Sequence, residues 1–330
     1  MDDNPASRLS SSSLDHLETN GPTVETGLIF QYDPPRDDFR IEPITPLEAS
    51  FRHSSWCRDR ARVFTAFSNV GTSATRKDRF ANCGSCCKVV ASKAEGRVWL
   101  SANYCHDRFC LPCATARSRL IARQLAEACK GKEIRFITLT LKHSLNPLRE
   151  QVQRLYRSFH AMRRRPTWKA ACKGGAAFLE VKVGRDNKWH PHLHILAEGT
   201  FLDQKDLSRE WLFITGDSYV VDIRRPRNEN ELIGYVCKYA SKPLEHKVIA
   251  LPERLEESII ALRGIRLCTT FGTWRGIVLE PEHEKPSDAV VLGTLASLLR
   301  DAAAGDSFAQ SLLNQLRNPE TIETQKGPDP

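Results

Sequence analysis

Residues 190–196 read HPHLHIL, with histidines at positions 190, 192 and 194. On an extended strand every second side chain points the same way, so His190, His192 and His194 share one face. AAFLEVKV (176–183) reads as the strand before it, and GRDNKW between them has the length of a hairpin connection. Pairing across that hairpin sets Glu180 opposite His192 or His194. Two imidazoles and a carboxylate on one face suit a divalent cation, and the carboxylate favours Mg2+ or Mn2+.

Outward from this hairpin the periodicities alternate. IRFITLTLK (134–142) is rich in β-branched residues and reads as a strand with Thr138 and Thr140 on one face. Leu148, Val152, Leu155, Phe159 and Met162 recur at helical spacing within 148–164. A helix near 203–213, a strand at 218–225 and a helix at 230–242 stopped by Pro243 follow. The order β-α-β-β-α-β-α predicts an α+β fold, an antiparallel or mixed sheet with flanking helices. Beyond it, helices are expected at 251–263 and 289–300, the second covering AVVLGTLASLL (289–299).

The 330 residues carry a formal net charge of +8, but the charge is segregated. Residues 1–50 hold 3 basic and 10 acidic side chains, whereas residues 51–250 hold 37 and 18, a net +19. A section this positive calls for a polyanionic partner such as nucleic acid. No stretch approaches the roughly 18 apolar residues of a membrane span, and the start, MDDNPASRLS, lacks a signal peptide's apolar core. A cytoplasmic location is therefore expected, and the 11 cysteines are read as metal ligands or free thiols. By spacing, Cys83-x2-Cys86 and Cys110-x2-Cys113 form a zinc-ribbon-like set of four thiolates.

Tyr235 and Tyr239 lie four apart on the helix NELIGYVCKYASK, as do Lys238 and Lys242, so each pair shares a helix face. Tyrosine is a weak nucleophile at neutral pH and needs a polarised electrophile, so these phenols gain meaning only beside a metal. The run Arg163, Arg164, Arg165 followed by Trp168 suits a phosphate backbone and a stacked base. No GxxxxGKS/T phosphate loop occurs, so no ATPase or helicase activity is expected of the chain itself.

FITLTLKH (136–143), HPHLH (190–194) and YVCKYASK (235–242), in this order, resemble the three motifs of rolling-circle replication initiators of the HUH endonuclease superfamily. The Glu of FLEVKV, Trp189 and the segment SANYCHDRFCLPCATARSR are also similar to plasmid initiators, and LRGIRLCTTFG resembles a stretch that follows their tyrosine helix. The resemblance runs from Cys83 to Lys242 and on to Phe271.

The resemblance implies roles. His192 and His194 would hold Mg2+ or Mn2+, with Glu180 as third ligand and His190 as the alternative. Tyr239 of KYxxK would attack the scissile phosphate, leaving a 5′-phosphotyrosine and a 3′-OH primer, with Lys238 and Lys242 near the phosphate. Many plasmid initiators have a glutamate where this chain has Tyr235, which makes it similar to the two-tyrosine gene A proteins of single-stranded-DNA phages. The structural zinc set becomes Cys83, Cys105, Cys110 and Cys113, with Cys86 as substitute. Partners would be single-stranded or extruded origin DNA and a host helicase and polymerase. The expected organisation is a disordered acidic tail (1–50), a zinc-binding module with a basic helix (51–130), a catalytic domain (131–250), an accessory region (251–315) and a second tail (316–330). A two-tyrosine rolling-circle transposase and a non-catalytic zinc-ribbon DNA-binding regulator are the alternative readings.

Overall fold

The structure, a computed structural model, describes residues 43–94, 96–184, 186–239, 244–279 and 287–317. It opens with α1 (Pro46–His53), a 3-10 turn (Ser54–Trp56), α2 (Cys57–Asn69), α3 (Ala74–Ala81) and the hairpin of β1 (Lys88–Ser92) with β2 (Arg97–Ser101). Helix α1 begins inside the segment expected to be a tail. Thr45 caps it in a capping box with Glu48, and Glu48 Oε1 in turn accepts the buried Cys87 amide at 2.8 Å. That bond ties the segment to the module behind it.

There follow α4 (Leu111–Cys129), β3 (Ile134–Thr140), α5 (Leu148–Met162), α6 (Pro166–Ala171), β4 (Cys172–Val183), β5 (Trp189–Gly199), α7 (Gln204–Thr215), β6 (Val221–Arg224) and α8 (Glu229–Tyr239). The chain ends with α9 (His246–Ala250), α10 (Pro252–Ala261), β7 (Cys268–Gly272), β8 (Val290–Thr294), α11 (Leu295–Ala303) and α12 (Ser307–Arg317). Strands β6-β3-β5-β4-β7 form one sheet in that spatial order, antiparallel at every ladder. The protein is α+β, with antiparallel sheets, flanking helices and a cysteine cluster ahead of the larger sheet.

Both faces of this sheet are covered, which is why Ala176–Leu179 of β4 and Ile195–Ala197 of β5 read as short continuous apolar runs. The odd residues of β5, Trp189, Leu193 and Ile195, pack against Leu148, Val152, Leu155, Phe159 and Met162 of α5. On the other face Leu196, Phe136 and Phe178 meet Ile121 and Leu125 of α4 and Leu232, Tyr235, Val236 and Tyr239 of α8. Helix α4, grouped by sequence with the zinc module, thus covers the histidine face beside the tyrosine helix.

Residues 251–315 are divided between two sheets. Strand β7 completes the large sheet against β4, while β8 pairs with β1 in a second sheet of order β2-β1-β8. AVVLGTLASLL, expected to be helical throughout, is strand β8 followed by α11. Thr294 breaks the run by accepting the Ser297 amide at 3.0 Å as an N-cap, and an apolar run has no period that separates strand from helix.

Candidate active site on the histidine face

The two ladders of β5 fix the site in transverse rows. Thr140, His192 and Glu180 form one row, Thr138, His194 and Phe178 the next, and His190 lies opposite Lys182. Glu180 thus faces His192 directly and reaches His194 diagonally, with Oε2 2.8 Å from Nε2. Both threonines anchor imidazoles: Thr140 Oγ1 is 3.1 Å from His192 Nδ1, and Thr138 Oγ1 is 3.3 Å from His194 Nδ1. His192, donating Nδ1–H to Thr140, keeps its Nε2 lone pair for a cation, whereas His194 donates Nε2–H to the Glu180 carboxylate. Among the described residues His192 Nε2, which is buried, has no hydrogen-bond partner.

The electrostatics agree with that use. Burial, with neighbouring histidines, pushes His192 down to about 3 and His190 to about 4, so both rings are neutral near pH 7. Burial would raise the Glu180 carboxyl, but the bond and charge of His194 and the Lys182 ammonium outweigh it and hold it at about 2. Imidazole and carboxylate are donor types that a divalent cation takes, while among the described residues only the four cysteines below have ligand atoms all within 4.8 Å of one another. His190 extends the row, its ring 4.1 Å from His192 and 3.6 Å from His143 between centroids.

Helix α8 lays both tyrosines over His194. Tyr239 stacks on the imidazole with centroids 3.6 Å apart and an interplanar angle of 18°. Tyr235 stacks on Phe136 at 3.9 Å and points its hydroxyl at His194 Nδ1, 3.4 Å away. Burial, then the neighbouring Tyr239, pushes the Tyr235 phenol up. The side chain of Lys238 and the whole of Lys242 lie outside the described residues.

Cys83, Cys105, Cys110 and Cys113 form a group whose sulfurs all lie within 4.8 Å of one another, and Cys86 is not a member. The Cys83–Cys110, Cys83–Cys113 and Cys105–Cys113 separations are 3.7, 3.5 and 3.7 Å. A tetrahedron of zinc–sulfur bonds of 2.3 Å has edges of about 3.8 Å, so the group could hold a metal such as zinc. Sequence reasoning missed its surroundings. Arg52 NH2 lies 3.4 Å from Cys113 Sγ, its guanidinium 4.4 Å over the Tyr104 ring. Burial alone would lower the Arg52 pKa, but Cys83, Cys113 and Tyr104 hold it well above its usual value. His53 accepts the Trp56 indole N–H on Nδ1 at 3.1 Å, so its Nε2–H donates to the Cys83 carbonyl at 2.7 Å. Gly84, at φ +102°, leaves the space that Arg52 fills, since a Cβ there would stand 2.5 Å from Arg52 Cδ.

The proposed basic DNA contact needs correction at Trp168. Its ring is 2% exposed, edge-on to Phe159 at 5.7 Å on the sheet face opposite the histidines, and cannot stack a base. Arg163 is held over Phe159 at 5.1 Å and Arg165 over Phe213 at 5.3 Å, while Arg164 is exposed. Trp168→Ala is expected to cost about 3–5 kcal/mol in chemical denaturation, as large-to-small core changes do, with single-strand affinity unchanged.

An antiparallel sheet with alternating histidines beneath a two-tyrosine helix, next to a four-cysteine cluster, is the arrangement expected of rolling-circle replication initiators. A family model described as Replication protein matches residues 97–294, more than half of the chain. The chain belongs to that family and is a rolling-circle replication initiator of the plasmid type. It is 24% identical over 212 residues to a protein described as Protein rep from Staphylococcus aureus, covering 58% of this chain and 93% of that protein. No solved structure matches the chain. Among the described residues no helix is long and apolar enough to cross a membrane.

Proposed function

We propose that the chain initiates replication by nicking one strand of its origin DNA through a covalent tyrosine intermediate. The observation that carries this reading is the His192 Nε2, without a partner among the described residues, beside Glu180 and His194, with Tyr239 stacked on His194. His192, His194 and Glu180 would hold Mg2+ or Mn2+, which supplies Lewis-acid polarisation of the scissile phosphate. Thr138 and Thr140 lock the imidazole orientations. The Tyr239 oxygen forms a bond to phosphorus as the bond from phosphorus to the 3′-oxygen breaks. The phenol proton leaves to solvent, and the 3′-oxygen takes one from water. The phosphotyrosine diester retains the energy of the original linkage, so transfer back to a 3′-OH rejoins DNA without ATP, and Tyr235 takes part in that second transfer. A host polymerase extends the 3′-OH while a host helicase unwinds the duplex. The zinc module, residues 51–130, braces this centre through α4.

The test is to incubate the full chain with labelled single-stranded oligonucleotides tiling the DNA around its gene, with Mn2+ or with EDTA. A covalent product formed only with Mn2+ is expected, and peptide mass spectrometry should find the DNA on Tyr239 or Tyr235. Retarded but uncut DNA would mark a non-catalytic DNA-binding protein, and an adduct on any other residue would overturn the tyrosine mechanism.

A further inference from the structure

The histidine face carries anionic groups of its own: Glu180, and Asp222, which stands opposite Thr138 in the β3–β6 ladder. A phosphodiester entering this face, and gaining negative charge as it is attacked, needs a cation from the protein as well as a metal. Arg224 is already engaged, with its guanidinium 5.2 Å from the Phe136 ring centre and NH1 3.2 Å from Glu231. Lys182 is placed differently. It stands opposite His190, one same-face step of about 6.8 Å along β4 from Glu180, and its side chain is 35% exposed. Its ammonium nevertheless turns back along the strand to lie 3.1 Å from Glu180 Oε2, the same oxygen that His194 Nε2 contacts at 2.8 Å. One end of the side chain thus lies at the candidate metal ligands while its flank faces solvent, where a DNA strand must enter.

We propose that Lys182 is a further catalytic residue of strand cleavage, its ammonium contacting a non-bridging oxygen of the scissile phosphate. The proposal rests on the nicking reading above. It adds a cation held by the sheet itself to those that the sequence motifs locate on the tyrosine helix. A lysine suits this place because its compact charge moves between two oxygens on a flexible stem, resting on Glu180 until a phosphate arrives.

The experiment uses the full-length chain, Mn2+ and the single-stranded oligonucleotide that the wild type cleaves, read as the rate of covalent adduct formation in single turnover. Lys182→Met is expected to slow this rate about 100-fold at saturating Mn2+, the scale of losing one preorganised charge contact, while the half-saturating Mn2+ concentration stays within about twofold. Lys182→Arg should recover most of the rate. Lys188→Met, which removes an equal charge from the exposed hairpin where Lys188 pairs with Asp186 at 3.1 Å, controls for net charge and should cleave as the wild type does. Matching thermal melts establish that the variants fold. If Lys182→Met cleaves at the wild-type rate, or if extra Mn2+ restores it fully, Lys182 does not touch the phosphate and the proposal falls. A wild-type chain that forms no adduct at all overturns the nicking reading instead, and this proposal with it.

Discussion

Tyr239→Phe is expected to abolish covalent capture of a labelled single strand, lowering adduct formation by at least about 10³-fold, or about 4 kcal/mol in barrier height. Phenylalanine preserves the ring that stacks at 3.6 Å on His194, so the helix and sheet keep their packing and only the attacking oxygen is lost. Tyr235→Phe should behave differently. The Tyr235 hydroxyl bonds Thr138 and faces Nδ1 of His194, the edge away from the Nε2 that meets Glu180. Its phenol is also held protonated by burial. First-strand cleavage should survive in Tyr235→Phe, with the rejoining step slowed. Labelling of Tyr239→Phe at the wild-type level would remove Tyr239 from the mechanism.

Cys113→Ser is expected to eliminate stoichiometric zinc and to destroy cooperative unfolding. Apparent binding free energies at structural zinc sites reach about 10 kcal/mol or more, comparable to the whole stability of a domain. Cys113 touches Cys83 at 3.5 Å, Cys105 at 3.7 Å and the Arg52 guanidinium at 3.4 Å, so its loss also removes one partner of a buried cation. The damage should reach the nicking reaction, because Cys113 lies in the first turn of α4, whose Ile121 and Leu125 pack with Tyr235 and Tyr239. Metal analysis with a circular-dichroism melt tests this directly. Cys86→Ser, by contrast, should retain zinc, since Cys86 is outside the cluster. Full zinc in Cys113→Ser would remove Cys113 from any ligand set, and loss of zinc in Cys86→Ser would favour the set suggested by spacing.

Features with a local signature were legible in the sequence. The strand and helix order from 134 to 239, apart from the short α6 (Pro166–Ala171), followed from periodicity, and the pairing of Glu180 with His192 was one of two registers the hairpin allowed. Features made by distant segments were not. Thr138 and Thr140 were visible as a pair on one face, but their role as histidine anchors depends on the β3–β5 register, which no turn specifies. Arg52 and His53 gave no signal, because their partners lie 61 and 30 residues away. Trp168 was misread because an aromatic residue after three arginines looks the same whether it faces solvent or the core. The run at 289–299 was misread for want of a period, its division set by the capping of Thr294.

The pairing of β8 with β1 has a consequence for how the protein is made. Val90 bonds across to Val291, Ser92 Oγ donates to Asp288 at 2.7 Å, and the Leu295 amide reaches back to the Cys87 carbonyl at 2.9 Å. These closures span about two hundred residues, the kind of non-local contact that slows folding. On the ribosome, β1 emerges early and waits with an open edge until β8, some two hundred residues later, has been synthesised. A product that ends before residue 290 leaves that edge bare, a template for aggregation. Completion of the amino-terminal module thus reports that translation has passed the larger sheet, so a truncated chain retaining the tyrosine helix would lack a finished module beside it.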